Sequence, residues 1–153
     1  MGEKIIELVL SLLAKTKDKL IIQTKNQNDP AITALATEGL LSYVRNELED
    51  RKKLGYPPYK RFIKITFLGD EVKIREAKTF LTELFKEYDP LIFSGFLPKF
   101  KGKFVTNALI KIDPEKWSLP SLTPRSSLDE NLLTRLLSLP PSFSINIDPE
   151  DLM

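Results

Sequence analysis

The chain has 153 residues, 42% hydrophobic and 29% charged, which suffices for one soluble domain of ordinary size with a real core. The formal net charge is only +2, so any basic surface has to be a local patch. With neither cysteine nor histidine, the sequence excludes disulfides, thiolate nucleophiles, Cys/His zinc sites and imidazole acid–base schemes, and the lack of cysteine fits a reducing cytoplasm.

Residues 5–13 form an apolar run interrupted by Glu7 and Ser11. Spanning a bilayer takes ~20 residues, about twice this length, and no small-residue cleavage site follows, so the expected location is the cytoplasm. The run predicts a helix over residues 3–16 whose apolar surface calls for a partner. Residues 19–24 read as a short strand. Asp29 and Pro30 are placed as N-cap and first residue of a helix over 31–37. Gly39 bends or ends that helix, and a longer one is predicted over 40–54 with Leu40, Leu41, Val44 and Leu48 on one face. Its end runs acid before base (Glu47, Glu49, Asp50, then Arg51, Lys52, Lys53), which suits i,i+4 pairing and the helix dipole.

The next residues stop the helix and launch the following strand. Gly55 suits a left-handed C-terminal position, and Pro57 and Pro58 cannot continue a helix. Between residues 51 and 64 there are six basic residues, no acidic one, and the two tyrosines Tyr56 and Tyr59. Two readings fit: a helix stop with a solvated basic rim, which leads on the local pattern, or a patch for a nucleic-acid backbone and its bases.

Alternation over residues 61–68 predicts a strand with Ile63, Ile65 and Phe67 on its apolar face. After Gly69 and Asp70 an amphipathic helix is predicted over 71–87, burying Ile74, Ala77, Phe80, Leu81, Leu84 and Phe85. A short strand at 91–94, a loop or hairpin tip at 95–103 and a strand at 104–112 follow. Residues 113–127 read as an irregular connection containing Trp117, whose leading reading is a core residue under that connection and whose alternative is a surface anchor for a partner. Asp129 and Glu130 open a helix that Pro140 and Pro141 stop, and residues 143–148 alternate as a last strand. From residue 59 the order is β-α-β-β-α-β. The predicted class is therefore α+β: a ferredoxin-like, split β-α-β-β-α-β antiparallel sheet with two helices, preceded by an N-terminal helical segment with one short strand.

A second basic cluster, Lys99, Lys101 and Lys103, alternates with Phe100 and Phe104. Such a tip either tracks phosphates and stacks a base or is a solvated turn whose phenylalanines face the core. Arg125 could receive a carboxylate, with a solvated arginine as the default. Asp148, Glu150 and Asp151 are either a metal-binding or base-pair-mimicking group or, the leading reading, a closure of the fold. No phosphate loop and no nucleophile–base pair occurs, so no catalytic residues are assigned.

Several segments, taken in order, resemble the bacterial primosomal protein N′ (PriA) family of replication-restart helicases. Leu20-Ile21-Ile22-Gln23-Thr24 and Asn28-Asp29-Pro30-Ala31-Ile32 are similar to the end of its second helicase lobe. Glu47, Leu48 and Arg51, then Leu54-Gly55-Tyr56-Pro57-Pro58-Tyr59 and Arg61, resemble its signature entering the C-terminal domain. Gly95 with Pro98 sits at its Gly-Pro turn, and Asn146-Ile147-Asp148-Pro149 looks like its terminal motif. The likeness covers about residues 19–150.

That resemblance implies residues 1–54 as a helicase-lobe remnant with connecting helices, and 55–153 as a C-terminal α+β domain binding DNA and partners. It implies a role in restarting stalled forks, where the family unwinds DNA 3′-to-5′ with ATP. Implied partners are forked or single-stranded DNA, the acidic tail of the single-stranded-DNA-binding protein, and a separately encoded helicase portion; no membrane is implied. The family's nucleotide-binding loop, magnesium box and zinc cysteines are absent, so no ATP, magnesium or zinc cofactor is expected here. Residues 7–13 replace its arginine-bearing last motif, and Val105 stands where an arginine is expected. The candidate contacts to phosphate or an acidic tail are Arg51, Lys53, Lys60, Arg61, Lys99, Lys101 and Lys103, with Tyr56, Tyr59 and Phe100 as stacking residues. The alternative is an interaction subunit without DNA binding that docks through residues 5–13.

Overall fold

The computed structural model describes residues 2–26, 28–37, 39–117, 128–149 and 152, and for residues 96–98 the backbone only. The expectations for Arg125, Glu150 and Asp151 fall outside the described residues. The chain divides into two compact units, Met1–Asp50 and Arg51–Met153.

In the first unit, α1 spans Gly2–Leu13 and α2 spans Pro30–Ala36. Asp29 accepts a hydrogen bond from the Ala31 amide at 2.9 Å, and Pro30 takes the start of the helix, where its missing N–H costs nothing. The two helices pack on each other, burying Ile6 and Val9 of α1 and Ala31 and Ala34 of α2. The strand expected over residues 19–24 does not form. A strand needs a hydrogen-bonding neighbour, and the sheet found among the described residues has four strands, all in the second unit. The third helix, α3, runs over Leu40–Leu54 as expected, with the unit boundary inside it. None of its residues is buried, and Leu41 and Val44 of its apolar face are exposed.

The second unit contains β1 (Arg61–Gly69), α4 (Glu71–Leu84), β2 (Leu91–Phe100), β3 (Lys103–Ile112), α5 (Glu130–Leu137) and β4 (Phe143–Ile147). The sheet order is β2-β3-β1-β4 and every described neighbour pair is antiparallel, which is the ferredoxin-like arrangement. Both helices are started by aspartates: Asp70 accepts from the Lys73 amide and Asp129 from the Leu132 amide, each at 2.9 Å. The core lies on one face of the sheet. Ile63 and Ile65 of β1 with Ala108, Ile110 and Ile112 of β3 meet Leu81 and Phe85 at the end of α4 and Leu132 and Leu136 of α5. Trp117 is half-buried against this core, as its residue type predicts.

Two elements differ from the expectation. The helix over 71–87 stops at Leu84 and gives way to a 3-10 turn, Lys86–Tyr88, and its Phe80 stays largely exposed, resting on the Phe143 ring at 5.8 Å. Strand β2 does not end at Ser94 but continues to Phe100, with a register shift against β3 between Ser94 and Lys99. Gly95 and Pro98 weaken a strand pattern, and an irregularity in the ladder is how a strand carries them. The hairpin turn is therefore only Lys101 and Gly102, both with left-handed φ (+50° and +79°), the signs a two-residue type I′ turn requires.

Candidate nucleic-acid interface

Charge and register divide the candidate residues between two places. Arg51, Lys53, Tyr56, Tyr59, Lys60 and Arg61 lie where α3 ends and β1 begins, whereas Lys99, Phe100, Lys101 and Lys103 form the tip of the β2–β3 hairpin. Arg61 pairs with Ile112 at one end of β3, and Phe104 pairs with Gly69 at the other. At ~3.3 Å per residue, roughly 30 Å of strand separates the two groups. The structure does not bring them together into one patch.

At the first place, Gly55 adopts φ +62° and the Tyr56 amide returns to the Arg51 carbonyl at 2.8 Å, closing the helix. Arg51 donates to the Pro57 carbonyl at 3.4 Å, and Lys53 is exposed on the last turn. Tyr56 and Tyr59 are each 39% exposed. The Tyr56 ring meets Phe62 edge-on at 5.4 Å, and the Lys111 ammonium lies 4.8 Å from the Tyr56 centroid and 5.4 Å from that of Phe62. Lys111 also donates to the Leu54 carbonyl at 3.2 Å, one of the orphan carbonyls of the helix end. This lysine clamps the entry segment onto the sheet.

The two strongest-looking cations of this group already have carboxylate partners. Lys60 meets Asp113 at 2.6 Å, and Arg61 meets Asp148 at 3.0 Å, both on the surface. The hydrogen bond and charge of Lys60 hold the Asp113 carboxyl below its ordinary value. Asp148 adopts φ +50°, accepts from the Phe62 amide at 3.3 Å and donates its own amide to the Phe62 carbonyl at 2.7 Å, fastening the end of β4 to the start of β1. That is the fold-closing role expected of it. Pro57, Pro58, Pro114 and Pro149 wall a cleft of about 340 Å³ around Lys60, Arg61 and Asp148.

The hairpin tip is different. Residues 91–112 carry four lysines and no acidic residue. Lys99, Lys101 and Lys103 are exposed and, among the described residues, have no carboxylate partner. Their contacts are aromatic: Lys99 lies 4.7 Å from the Phe104 centroid and Lys101 5.5 Å from that of Phe100. Register places Lys99 and Phe104 on the helix-covered face and Phe100 and Lys103 on the opposite one. Phe100 is 50% exposed. Further along that opposite face, Asn107 and Leu109 of β3 are only 2% and 4% exposed, while their β2 neighbours Phe93 and Leu91 are more open. Val105, which stands where the resembling family implies an arginine, lies on this face opposite Leu68.

Three contributors escaped the sequence reading. Asp113 and Asp148 as neutralising partners, and Lys111 as a clamp, depend on cross-strand register, and only the alternation of β3 hinted that Lys111 shares a face with Lys103. Among the described residues no cluster of acidic side chains could hold a metal ion, and no helix is long and apolar enough to cross a membrane.

No family model matches the sequence. Two curated proteins do. Replication restart protein PriA of Thermotoga maritima is 30% identical over 106 residues, and that of Borreliella burgdorferi is 38% identical over 71. The chain is related to PriA. The alignments take in 68% and 43% of this chain but 14% and 11% of these PriA proteins, so the chain spans a small part of the length of the relatives it matches. The basic residues above are what the chain itself contributes to a functional reading.

Proposed function

We propose that this chain is the non-catalytic, C-terminal type of module of a primosomal replication-restart helicase, binding forked or single-stranded DNA and a partner protein. The observation that carries the reading is the acid-free β2–β3 hairpin, whose exposed tip lysines have no carboxylate partner among the described residues. Lysines so placed release counterions when they meet phosphates, which is the main source of affinity for DNA of any sequence. The PriA kinship supplies the context. Residues 1–54 take the part of a helicase-lobe remnant with connecting helices in this reading, and residues 55–153 that of the binding domain. Partner docking, with the acidic tail of a single-stranded-DNA-binding protein as its object, is placed in this reading at the proline-walled cleft around Lys60 and Arg61, where the tail has to displace Asp113 and Asp148 from the two cations.

The test is the triple substitution Lys99→Gln, Lys101→Gln, Lys103→Gln. Affinity for forked DNA at low salt should fall at least about ten-fold, and the log–log salt slope should flatten by roughly two to three. Unchanged affinity and slope would remove the hairpin from the interface. One observation favours a second reading, an interaction subunit that docks on a separately encoded helicase: Leu8, Leu10, Leu12 and Leu13 of α1 are exposed. That reading gains if the wild-type chain binds no DNA at low salt yet associates with such a helicase portion.

A further inference from the structure

The two outer edges of the sheet are built differently. An edge strand presents unpaired N–H and C=O groups that invite another chain, and proteins blunt such edges with proline, a bulge or lysine. Strand β2 has all three: Pro98, the register shift between Ser94 and Lys99, and Lys99 itself. Strand β4 has none of them. Its sequence, Phe143-Ser144-Ile145-Asn146-Ile147, holds no proline and no charge, and its ladder with β1 runs without a shift.

Register shows which groups of β4 are open. The Asp148 amide donates to the Phe62 carbonyl, so Asn146 and Ser144, at alternate positions before it, also turn their backbone groups toward β1. Those of Phe143, Ile145 and Ile147 point outward. The Phe143 amide is taken by the Pro140 carbonyl at 3.0 Å, whereas Ile145 and Ile147 keep donor and acceptor without a partner among the described residues. Their side chains lie on the helix-covered face, opposite Ile65 and Ile63, yet they stay 42% and 43% exposed and outside the core cluster. Beside them, Phe67, Ala77, Phe80, Pro140 and Phe143 line a cleft of about 340 Å³, together with Lys73 and Glu76.

The strand is also its own complement. Turned antiparallel about Ile145, it sets Ile145 against Ile145, Phe143 against Ile147 and Ser144 against Asn146 of a second copy. Apolar residues meet apolar ones on the helix-covered face and polar residues meet polar ones on the other. Outward-facing backbone meets outward-facing backbone, so the two Ile145 residues exchange both their bonds. The nearest charge, Asp148, faces Ser142, so no like charges are opposed.

We infer that β4 is a self-pairing edge: two copies of this chain join β4 to β4, antiparallel about Ile145, and make one continuous sheet of their two four-stranded ones. Ile147 of each copy then lies beside Phe143 of the other, next to the cleft that Phe143 and Phe80 help to line. The occupant is a second copy because this one register satisfies backbone pairing, polarity and charge along the whole of β4. Pro141 and Pro149 fence the stretch, so the contact stays below the ~1,200 Å² of standard interfaces and the dimer is a weak one. Strand β2 and its lysine tip remain at the outer edges, and the inference does not depend on DNA binding.

The experiment is sedimentation velocity of the full chain across a wide concentration series, in which the wild type should pass from monomer to dimer. Ile145→Pro removes the outward N–H and leaves the bonds to β1, as an edge strand permits. One bond is lost from each copy, which should weaken dimerisation at least about ten-fold. Ile145→Lys sets two like charges against each other at the twofold axis and should weaken it as much. Urea midpoints of both variants check that the fold is intact. Cysteine substitutions read the register, because the chain has no cysteine of its own. Under copper–phenanthroline oxidation Ile145→Cys should give a disulfide dimer, its Cα atoms being ~5.5 Å apart across the axis. Asn146→Cys, whose mate is Ser144, should not. A wild-type chain that stays monomeric throughout overturns the inference. So does a dimer that Ile145→Pro and Ile145→Lys leave unchanged, or one that cross-links equally through Asn146→Cys. Amide-exchange protection of Ile145 and Ile147 by a different protein, with no dimer, overturns it in favour of a foreign strand on the same edge.

Discussion

Arg61 reaches Asp148 at 3.0 Å and so joins the first residue of β1 to the residue just beyond β4. The Arg61 guanidinium, one of the candidate phosphate contacts, is thus partly committed to closing the sheet, as Lys60 is to Asp113. A phosphate arriving there meets a nearby carboxylate as well as each cation. The double substitution Lys60→Gln, Arg61→Gln should therefore change affinity for forked DNA by no more than about two- to three-fold at low salt, against about ten-fold or more for the tip lysines. Fluorescence anisotropy in a salt series measures both. A loss at the β1 entry as large as at the tip would return the interface to that entry.

Lys111 combines three contacts, to the Leu54 carbonyl, the Tyr56 ring and the Phe62 ring. Replacing it with methionine keeps the aliphatic stem and removes the charge. A hydrogen bond from a charged donor contributes about 1.5–3 kcal/mol and an exposed cation–π contact about 0.5–1 kcal/mol; contacts that share one ammonium are not additive, and for this partly exposed lysine the total falls below the sum of the lower ends. Lys111→Met should lower unfolding stability by about 1–2 kcal/mol, read as a shift of the urea midpoint at unchanged m-value. It should also increase proteolysis between residues 54 and 61, because the clamp holds that segment.

The fold was legible where local chemistry and periodicity agreed. Alternation in residues 61–68, the aspartate cap at Asp29, the helix opening at Asp129 and the proline stop at Pro140 all correspond to what forms. Legibility failed where a neighbour decides. Residues 19–24 have strand-like composition but no strand beside them among the described residues, and β2 continues through Gly95 and Pro98 because β3 pairs with it again at Lys99. The candidate site was half legible for the same reason. Composition located both basic clusters, but register separated them, paired one with carboxylates and left the other without.

Stability should decline at both ends of the pH range for identifiable reasons. Asp70 is held below its ordinary value of 3.8 by the Lys73 amide, and Asp113 by Lys60. Their folded forms release protons more readily than the unfolded chain, so their contribution is complete above about pH 4 and is lost as the pH falls below 3.8 through the folded values. Tyr88 is raised above 10.0, first by burial and then by its hydrogen bond to Asp129; its contribution holds below pH 10 and is lost as the pH rises through the folded value. Asp113→Asn should flatten the acid limb slightly, by no more than about 1 kcal/mol because the pair with Lys60 is exposed and screened. Tyr88→Phe should flatten the alkaline limb. Urea unfolding at a series of pH values tests both, and an acid limb unchanged by Asp113→Asn would show that the Lys60 pair contributes nothing to folding.

Lys101 sets stability against binding within one residue. Its φ of +50° is a region that side chains with a Cβ rarely enter and asparagine enters most readily, especially before glycine in a two-residue hairpin turn. Lysine at this position costs the fold about 0.5 kcal/mol relative to asparagine, by the scale of backbone effects at turns. It persists beside Gly102 in a tip with two further lysines, which is intelligible if its charge is used. Lys101→Asn should raise the urea midpoint modestly while weakening fork binding by about two- to five-fold, as removal of one phosphate contact predicts. Gly102→Ala acts through the turn alone: it should destabilise by about 1 kcal/mol because φ +79° suits only glycine, with no charge removed. Opposite signs for stability and affinity in Lys101→Asn would mark the turn lysine as functional, whereas a variant both more stable and equally tight on DNA would show that the apex charge plays no part in binding.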